Sequence, residues 1–145
     1  MKIWKSKILL TTLNDRSKGS LSDHLGIVYT EIGDDFLIAE MPVATTTLQP
    51  FGILHGGANC VLAESVASAA ANFCIDNQKQ VCVGLDINVN HIKAVSAGTI
   101  TAKAIPYHLG RTTQVWEIKM FDSKKQLSAV SRLTLAVLNR KNLSK

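Results

Sequence analysis

The chain has 145 residues, of which 46% are hydrophobic and 19% charged, and its formal net charge at pH 7 is +5. This length is enough for one domain with a full hydrophobic core. The modest positive charge, partly carried by a basic tail at residues 140–145, fits either a solvated basic surface or an anionic ligand. No Lys/Arg-rich block with interleaved aromatic residues occurs, which argues against a nucleic-acid partner.

Three cysteines, Cys60, Cys74 and Cys82, lie inside apolar segments. Their number is odd and they lack C-x-x-C spacing, so buried thiols in a reducing compartment are favoured over a disulfide framework or a zinc site. The N-terminal apolar run is too short for a secretory signal. We therefore expect a cytoplasmic protein without a membrane span.

Within the first 54 residues, apolar periodicity and turn residues predict short helices, a β-hairpin and a loop. In chain order these are a helix over residues 3–14 inside an N-terminal helical segment (residues 1–19), a helical turn over 21–25, strands over 27–32 and 36–41, and a loop over 43–54. Gly33, Asp34 and Asp35 supply the hairpin turn, and Pro42 ends its second strand.

A long helix is predicted over residues 56–75, where Glu64 is the only charged residue. Small and apolar residues recur at every helical spacing, so the pattern predicts a helix that is buried nearly all round. The central Glu and many Ala, Ser and Asn residues argue against a membrane span. Burying an unpaired carboxylate is costly and raises its pKa, so the chemistry is expected at Glu64.

The rest of the chain predicts four strands joined by short links. Residues 81–90 alternate strictly, with the odd positions apolar, as in a strand with one buried face. Strands over 98–105, 113–121 and 127–138 follow, and the short links favour an antiparallel meander. One antiparallel sheet wrapped around one buried helix is the simplest packing that hides both apolar surfaces.

The run QPFGILHGGANCVLAES (residues 49–65) resembles the active-site segment of hotdog-fold acyl-CoA thioesterases. The nearest branch contains the Arthrobacter-type 4-hydroxybenzoyl-CoA and the 1,4-dihydroxy-2-naphthoyl-CoA thioesterases. The runs NHIK (90–93), HLGR (108–111) and SRLTLAVL (131–138) also resemble this branch. The resemblance covers residues 20–140 and implies an α+β hotdog domain, a curved antiparallel sheet of about six strands around one long helix. It also implies hydrolysis of acyl-CoA to acid and CoA, with no metal and no cofactor besides the substrate's own CoA.

Glu64 and Ser68 are the candidate catalytic residues on the helix. A poorly solvated carboxylate is a better nucleophile or general base than a surface one, although a buried Glu paired with a basic residue is a structural alternative. Ser68 lies at i+4 from Glu64 and therefore on the same helix face. It could orient the carboxylate or an attacking water, or simply bond back to a helix carbonyl.

Gly56 and Gly57 stand where the helix should begin, and the first N–H groups of a helix have no intrahelical partner. The resemblance implies that the Gly56 N–H polarises the thioester carbonyl. It also implies that His55 contacts the carbonyl region and Gln49 the site of attack; a structural hydrogen-bonding role for His55 is the alternative. No Ser-His-Asp triad and no metal-binding spacing of histidines is evident.

The resemblance further implies a homodimer with shared sites, in which Glu64 of one subunit faces Gln49, His55 and Gly56 of the other. Pairing of two dimers into a tetramer is expected, with its arrangement left open. The CoA moiety carries phosphates, which basic residues near the mouth of the site would bind. The resemblance assigns the CoA contacts to five residues: His91, Lys93, His108, Gly110 and Arg111. Each of them could equally be a solvated turn residue.

Two rival functions are considered. Hotdog dehydratases and hydratases use a His with an acid, which would make His55 the proton-transfer group. A non-catalytic acyl-CoA-binding protein would tolerate the loss of Glu64. The acyl group is expected to be aromatic or of medium chain length, and menaquinone synthesis, aromatic degradation and general acyl-CoA clearance are all compatible with it.

Overall fold

A computed structural model describes residues 1–143 of the chain. In chain order its elements are α1 (Leu10–Ser17), α2 (Leu21–His24), β1 (Val28–Ile32), β2 (Leu37–Pro42), α3 (Gly56–Phe73), β3 (Gln80–His91), β4 (Thr99–Leu109), β5 (Thr113–Phe121), β6 (Leu127–Asn139) and a 3₁₀ turn (Arg140–Asn142). That turn belongs to the predicted basic tail, whose last residue, Lys145, lies outside the described residues. None of the helices in the described part of the chain is long and apolar enough to cross a membrane.

The six described strands form one antiparallel sheet in the order β1-β2-β4-β5-β6-β3. The sheet is open, with β1 and β3 as its edges. The predicted meander of four strands is therefore wrong in one respect: β3 pairs with β6 and not with β4. The seven residues 92–98 between β3 and β4 are long enough to cross from one side of the sheet to the other.

Helix α3 packs on the concave face of this sheet, as the hotdog prediction requires. Its Ala-rich sequence has high helix propensity. Leu62, Val66 and Ala70 are fully buried against large core side chains such as Trp116 and Leu133. The fold class is thereby confirmed.

One face of α3 is not covered by the sheet, which corrects the prediction of a helix buried all round. The uncovered face consists of half-buried residues at helical spacing: Cys60, Val61, Glu64, Ser65, Ser68, Ala69 and Asn72. The single sheet covers only the other face of α3, because one sheet can contact only one stripe along a helix.

A β-bulge in β3 corrects in part the prediction of one buried face along its odd-numbered residues: Ile87 and Val89 do pack against the core, whereas Val83 and Leu85 do not. Gly84 pairs with Leu135 and Asp86 with Thr134, so Leu85 is an extra residue without a partner. The bulge shifts the alternation by one position. Cys82 is buried on the near side of it, whereas Val83 is 37% exposed and Leu85 62% exposed at the open edge.

The N-terminal helix begins at Leu10 rather than near residue 3. The preceding segment is held by tertiary hydrogen bonds: Ile3 N donates to Asp34 O (3.0 Å), and Lys5 N donates to Phe73 O (2.8 Å). The Trp4 indole N–H donates to Gly33 O at 2.8 Å. These bonds tie the segment to the β1–β2 turn and to the end of α3. Its apolar residues therefore lie outside any helix.

Candidate active site

A tight loop delivers Gln49 and His55 to the N-terminus of α3. Leu48 bridges Leu54, and the Gln49 N–H donates to Ile53 O at 2.8 Å. The loop is anchored by the fully buried Thr47, whose hydroxyl donates to Pro42 O at 2.8 Å. The Gln49 side-chain oxygen accepts from the Phe51 N–H at 2.6 Å, while its amide NH₂ group makes no hydrogen bond within residues 1–143. The Gln49 side chain is thus held through its oxygen, and its NH₂ group is free to donate a hydrogen bond to a ligand.

His55 is the N-cap of α3. Its Nδ1 accepts a hydrogen bond from the Gly57 N–H at 2.8 Å. A ring nitrogen that accepts carries no proton, so Nε2 of the neutral imidazole carries it and faces outward from an exposed side chain. The expected alternative of a structural hydrogen bonder is correct for Nδ1, and Nε2 remains a donor.

The Gly56 N–H has no acceptor within the described residues. The first turn of α3 contains no acidic residue that would offset the positive end of the helix dipole. An unpaired N–H at such a helix end is suited to bind a carbonyl oxygen on which negative charge develops. Gln49 lies in the loop that leads directly into His55 and Gly56 at the start of α3.

Glu64 and Ser68 lie further along the uncovered face of α3. The Glu64 carboxylate is half-buried and forms no ion pair or hydrogen bond within residues 1–143. A basic structural partner, the alternative raised from the sequence, is not present there. The Ser68 hydroxyl also has no partner in the described chain, so it does not bond back to the helix. Both side chains line one open groove with Ser22 and Ser65.

Gly84 makes room for the Glu64 carboxylate. A Cβ added to Gly84 would lie 2.5 Å from Glu64 Oε1, closer than real contacts allow. The glycine stands at the β3 bulge. Sequence analysis overlooked this residue, although a glycine inside a strand pattern is a recognised signal of a bulge or a close backbone approach.

A groove beside α3 is a second feature that was not predicted from the sequence. Helices α1 and α2 form its other wall, and its lining combines six hydroxyl-bearing residues with a larger area of apolar atoms. Around its rim lie Arg16, Ser17, Ser20, Ser22, Tyr29, Ser65, Ser68 and Asn72, with Leu13, Ala69 and Phe73 as apolar contacts. Ser22 and Ser65 are 3.0 Å apart through their hydroxyls. The N-terminal segment thus contributes to the surroundings of Ser68.

Within one chain, Glu64 cannot meet the Gly56 N–H. Eight residues separate them, which at about 1.5 Å per helical residue corresponds to about 12 Å along the axis. A thioester carbonyl bound at Gly56 would be out of reach of the Glu64 of the same chain. The geometry within one chain therefore keeps these two groups apart.

The five residues assigned to CoA are likewise divided between the two ends of α3. His91 is at the N-terminal end, where Asn59 Nδ2 and His91 Nδ1 are 3.3 Å apart. Lys93 is close by, but its ammonium is bound to Asp122 Oδ2 at 2.8 Å and also to Gln126. This ion pair holds the pKa of Asp122 below its usual range, together with the backbone N–H groups of the β5–β6 turn.

His108, Gly110 and Arg111 lie at the opposite, C-terminal end of α3. Gln114, the partner of Leu109 across the hairpin, reaches the Ala71 carbonyl there at 3.5 Å. His108 was expected in a turn but lies in β4, which continues four residues past the predicted end. Gly110 is required in the following turn because a Cβ would meet Thr113 O at 2.7 Å. Arg111 is exposed and forms no ion pair within residues 1–143.

The cysteine thiols are not activated. Burial raises the pKa of Cys74 to about 12 and that of Cys82 to about 11. Burial, and secondarily the negative charge of Glu64, raises the pKa of the half-buried Cys60. No group of three or more His, Cys, Asp or Glu side chains within residues 1–143 is placed to hold a metal ion.

Comparison with known proteins agrees with this geometry. A family model described as "Thioesterase superfamily" matches residues 51–129. The chain is 48% identical over 136 residues to the 1,4-dihydroxy-2-naphthoyl-CoA hydrolase of Escherichia coli, covering 94% of this chain and 99% of that protein. It is 46% identical over 136 residues to a proofreading thioesterase of Cronobacter sakazakii, covering 94% and 98%. A solved thioesterase of Haemophilus influenzae superposes with a TM-score of 0.92 at 44% identity, covering 94% of this chain and 95% of the other.

Proposed function

The chain belongs to the thioesterase superfamily and is a thioesterase, and on this premise we propose that it hydrolyses an acyl-CoA to a free acid and CoA. One observation carries the proposal. The same helix offers an unpaired backbone donor, the Gly56 N–H, and an unpaired half-buried carboxylate, Glu64. A thioester needs both a stabiliser for the developing oxyanion and a nucleophile or base.

In the proposed mechanism, the carbonyl oxygen binds the Gly56 N–H at the positive end of α3, with the His55 Nε2–H beside it. Glu64 then either attacks the carbonyl carbon, giving a mixed anhydride and releasing CoA thiolate, or removes a proton from water that attacks instead. Both routes consume one water and give the carboxylic acid and CoA. The free amide NH₂ of Gln49 and the free hydroxyl of Ser68 are suited to position that water.

The capping bond of His55 argues against the dehydratase alternative. A dehydratase needs the histidine to accept a proton, and that requires a ring nitrogen with a free lone pair. Nδ1 is used as the acceptor for Gly57, and Nε2 carries the proton in the neutral ring. His55 is therefore suited to donate a hydrogen bond through Nε2 and not to accept a proton.

The active site is proposed to form between two chains. The separation of about 12 Å between Gly56 and Glu64 requires a carboxylate from elsewhere, and a two-fold axis that sets two α3 helices antiparallel would supply it. The open edge of β3, with Val83 and Leu85 exposed, is the surface proposed to pair. Such pairing also brings the His91 end of one helix beside the Arg111 end of the other, where one CoA could contact both.

The remaining assignments are part of the same proposal. Lys93, His108, Gly110 and Arg111 line the path of the CoA moiety, and two dimers pair into a tetramer. The groove beside Ser68 is lined by apolar atoms and by hydroxyl groups that mostly bond within the chain, so it suits an aromatic or a medium-chain acyl group. The three free cysteines support a cytoplasmic location.

Steady-state hydrolysis of an acyl-CoA panel, with detection of the freed thiol, tests the reaction. The panel includes benzoyl-, hydroxybenzoyl-, 1,4-dihydroxy-2-naphthoyl- and octanoyl-CoA. We expect turnover of an aromatic or medium-chain acyl-CoA and a loss of at least ~10²-fold in kcat in Glu64→Gln. Preference for the naphthoyl substrate, after which one relative is named, would place the protein in menaquinone synthesis. Binding of acyl-CoA without cleavage would support the binding-protein alternative.

Mixing of two inactive variants tests the shared site. Glu64→Gln and His55→Ala homodimers should each be inactive, because each lacks one half of every site. A heterodimer would contain one site in which both halves are intact. Random exchange of chains should therefore restore about a quarter of the native activity. No recovery, with exchange verified by native mass spectrometry, would mean that the site lies within one chain.

A further inference from the structure

Asn59 is a buried polar residue near the start of α3, and it contacts His91. The side chain is 5% exposed. Its Nδ2 lies 3.3 Å from Nδ1 of His91, and its Oδ1 is buried without a hydrogen-bond partner in the described residues. A buried amide oxygen without a partner is unfavourable, so an apolar residue would serve the core better. Among residues 1–143, His91 is the one partner of the polar side-chain atoms of Asn59.

With the Asn59 amide nitrogen facing Nδ1, this contact favours one tautomer of His91. An amide NH₂ group can only donate, so Nδ1 of His91 must accept, and the neutral ring carries its proton on Nε2. The imidazole is also fixed in orientation, because the amide holds it from the helix side. Asn59 thus presents His91 as an Nε2–H donor.

The Nε2 atom of His91 is directed at the N-terminus of α3. A Cβ added to Gly56 would lie 2.8 Å from Nε2, closer than to any other atom. Since an ideal Cβ is about 2.5 Å from its own amide nitrogen, Nε2 lies within roughly 5 Å of the Gly56 nitrogen. Two donors at that separation can both bind one oxygen at about 2.9 Å. Only glycine at position 56 allows this approach.

We infer that His91 is a second side-chain donor to the thioester oxygen, acting beside the Gly56 N–H, and that Asn59 is the residue that positions it. The inference rests on the proposed thioester hydrolysis and replaces the assignment of His91 to the CoA arm. His91 is exposed at the end of edge strand β3, so a substrate can reach it. Its proton is not transferred; it stabilises the oxyanion through a hydrogen bond, as the backbone donor does.

Four variants separate this role from a structural one. His91→Leu removes the donor and should lower kcat about 10²-fold with KM changed less than threefold, the effect of deleting one oxyanion donor. His91→Gln places an amide N–H near the position of Nε2 and should recover part of that loss. Asn59→Leu should lower kcat about tenfold while the Tm stays at or above the native value. His24→Leu, on the outer side of α2, is the matched control with unchanged kinetics.

The tautomer of His91 provides a readout that a packing defect would not change. Long-range ¹H–¹⁵N spectra of native protein should show His91 protonated at Nε2, and Asn59→Leu should show a mixture of tautomers. An Nδ1–H tautomer in native protein would overturn the inference. So would a His91→Leu variant in which KM rises and kcat is unchanged, because that result describes a CoA contact. Loss of activity in Glu64→Gln with native kcat in His91→Leu would leave thioester hydrolysis standing and refute only the role of His91.

Discussion

Replacement of Gly84 by alanine should displace the Glu64 carboxylate, the proposed nucleophile or base, without harming the fold. The added Cβ would lie 2.5 Å from Glu64 Oε1, and an ordinary contact begins at 3.4 Å, so the carboxylate must retreat by about 0.9 Å. A displacement of about 1 Å at a reacting group can cost up to ~10²-fold in rate. We therefore expect kcat of Gly84→Ala to fall between about 10- and 100-fold.

The stability of the same variant should change in the opposite direction. Gly84 has no left-handed backbone conformation, and its next neighbour, Leu133 Cδ1, would be at an ordinary 3.9 Å from the new Cβ. Gly→Ala at a compatible position reduces the entropy of the unfolded chain and stabilises by ~0.4–1 kcal/mol. The Tm should accordingly remain constant or rise, which distinguishes displacement of Glu64 from damage to β3.

A double-mutant cycle tests the assignment of this loss to Glu64. In the Glu64→Gln background, Gly84→Ala should cost little more, because the carboxylate that it displaces has already been removed. Size-exclusion chromatography is run on each variant, since β3 is the proposed pairing edge. Native kcat in a well-folded Gly84→Ala protein of native size would refute the reasoning, as would a loss that is fully additive with Glu64→Gln.

Two further predictions concern groups outside the reacting centre. Lys93→Met should lower stability at neutral pH, because it removes the ion pair with Asp122. That ion pair depresses the pKa of Asp122 in the folded state. The stabilisation by the ion pair is therefore present above the unfolded pKa of 3.8 and is lost as the pH falls through the depressed pKa. The Tm difference between native and variant should then vanish in strong acid, and a constant difference down to pH 2 would contradict this. In native protein at pH 8, iodoacetamide should alkylate Cys60 before Cys74 and Cys82, because burial raises the pKa of Cys74 to about 12 and that of Cys82 to about 11. Peptide mapping would identify the labelled residue. Labelling of Cys74 first would contradict the prediction and show that the core opens there.

The sequence was most informative where local pattern and chemistry coincided. The long helix was predicted from Gly56 onward and begins there, because its Ala-rich composition and glycine start are local properties. The placement of Gln49 in the loop that leads into His55 and Gly56 also follows from short sequence distances. By contrast, the pairing of β3 with β6 depends on how residues 92–98 cross the sheet, and no periodicity records that path.

Contacts between distant segments account for the residues that sequence analysis missed. Asn59 meets His91 across 32 positions of the chain, and Gly84 meets Glu64 across a strand and a turn. The N-terminal apolar residues fit a helical period equally well, yet backbone bonds to Asp34 and Phe73 hold them extended. Tertiary hydrogen bonds overrule a short amphipathic pattern because an isolated helix of that length is marginal in water.

The two wrong predictions of burial have one explanation in common. The sequence predicted burial for one more face of α3 and for Val83 and Leu85 of β3, and the single chain leaves both surfaces open. Glu64 and Gly84 are in contact, so these surfaces are continuous with each other. Apolar periodicity reflects the surroundings of a residue in the assembled protein, whichever chain supplies them. This continuous surface is open in one chain and contains a carboxylate about 12 Å from the Gly56 N–H, and both features agree with the proposed site between two copies.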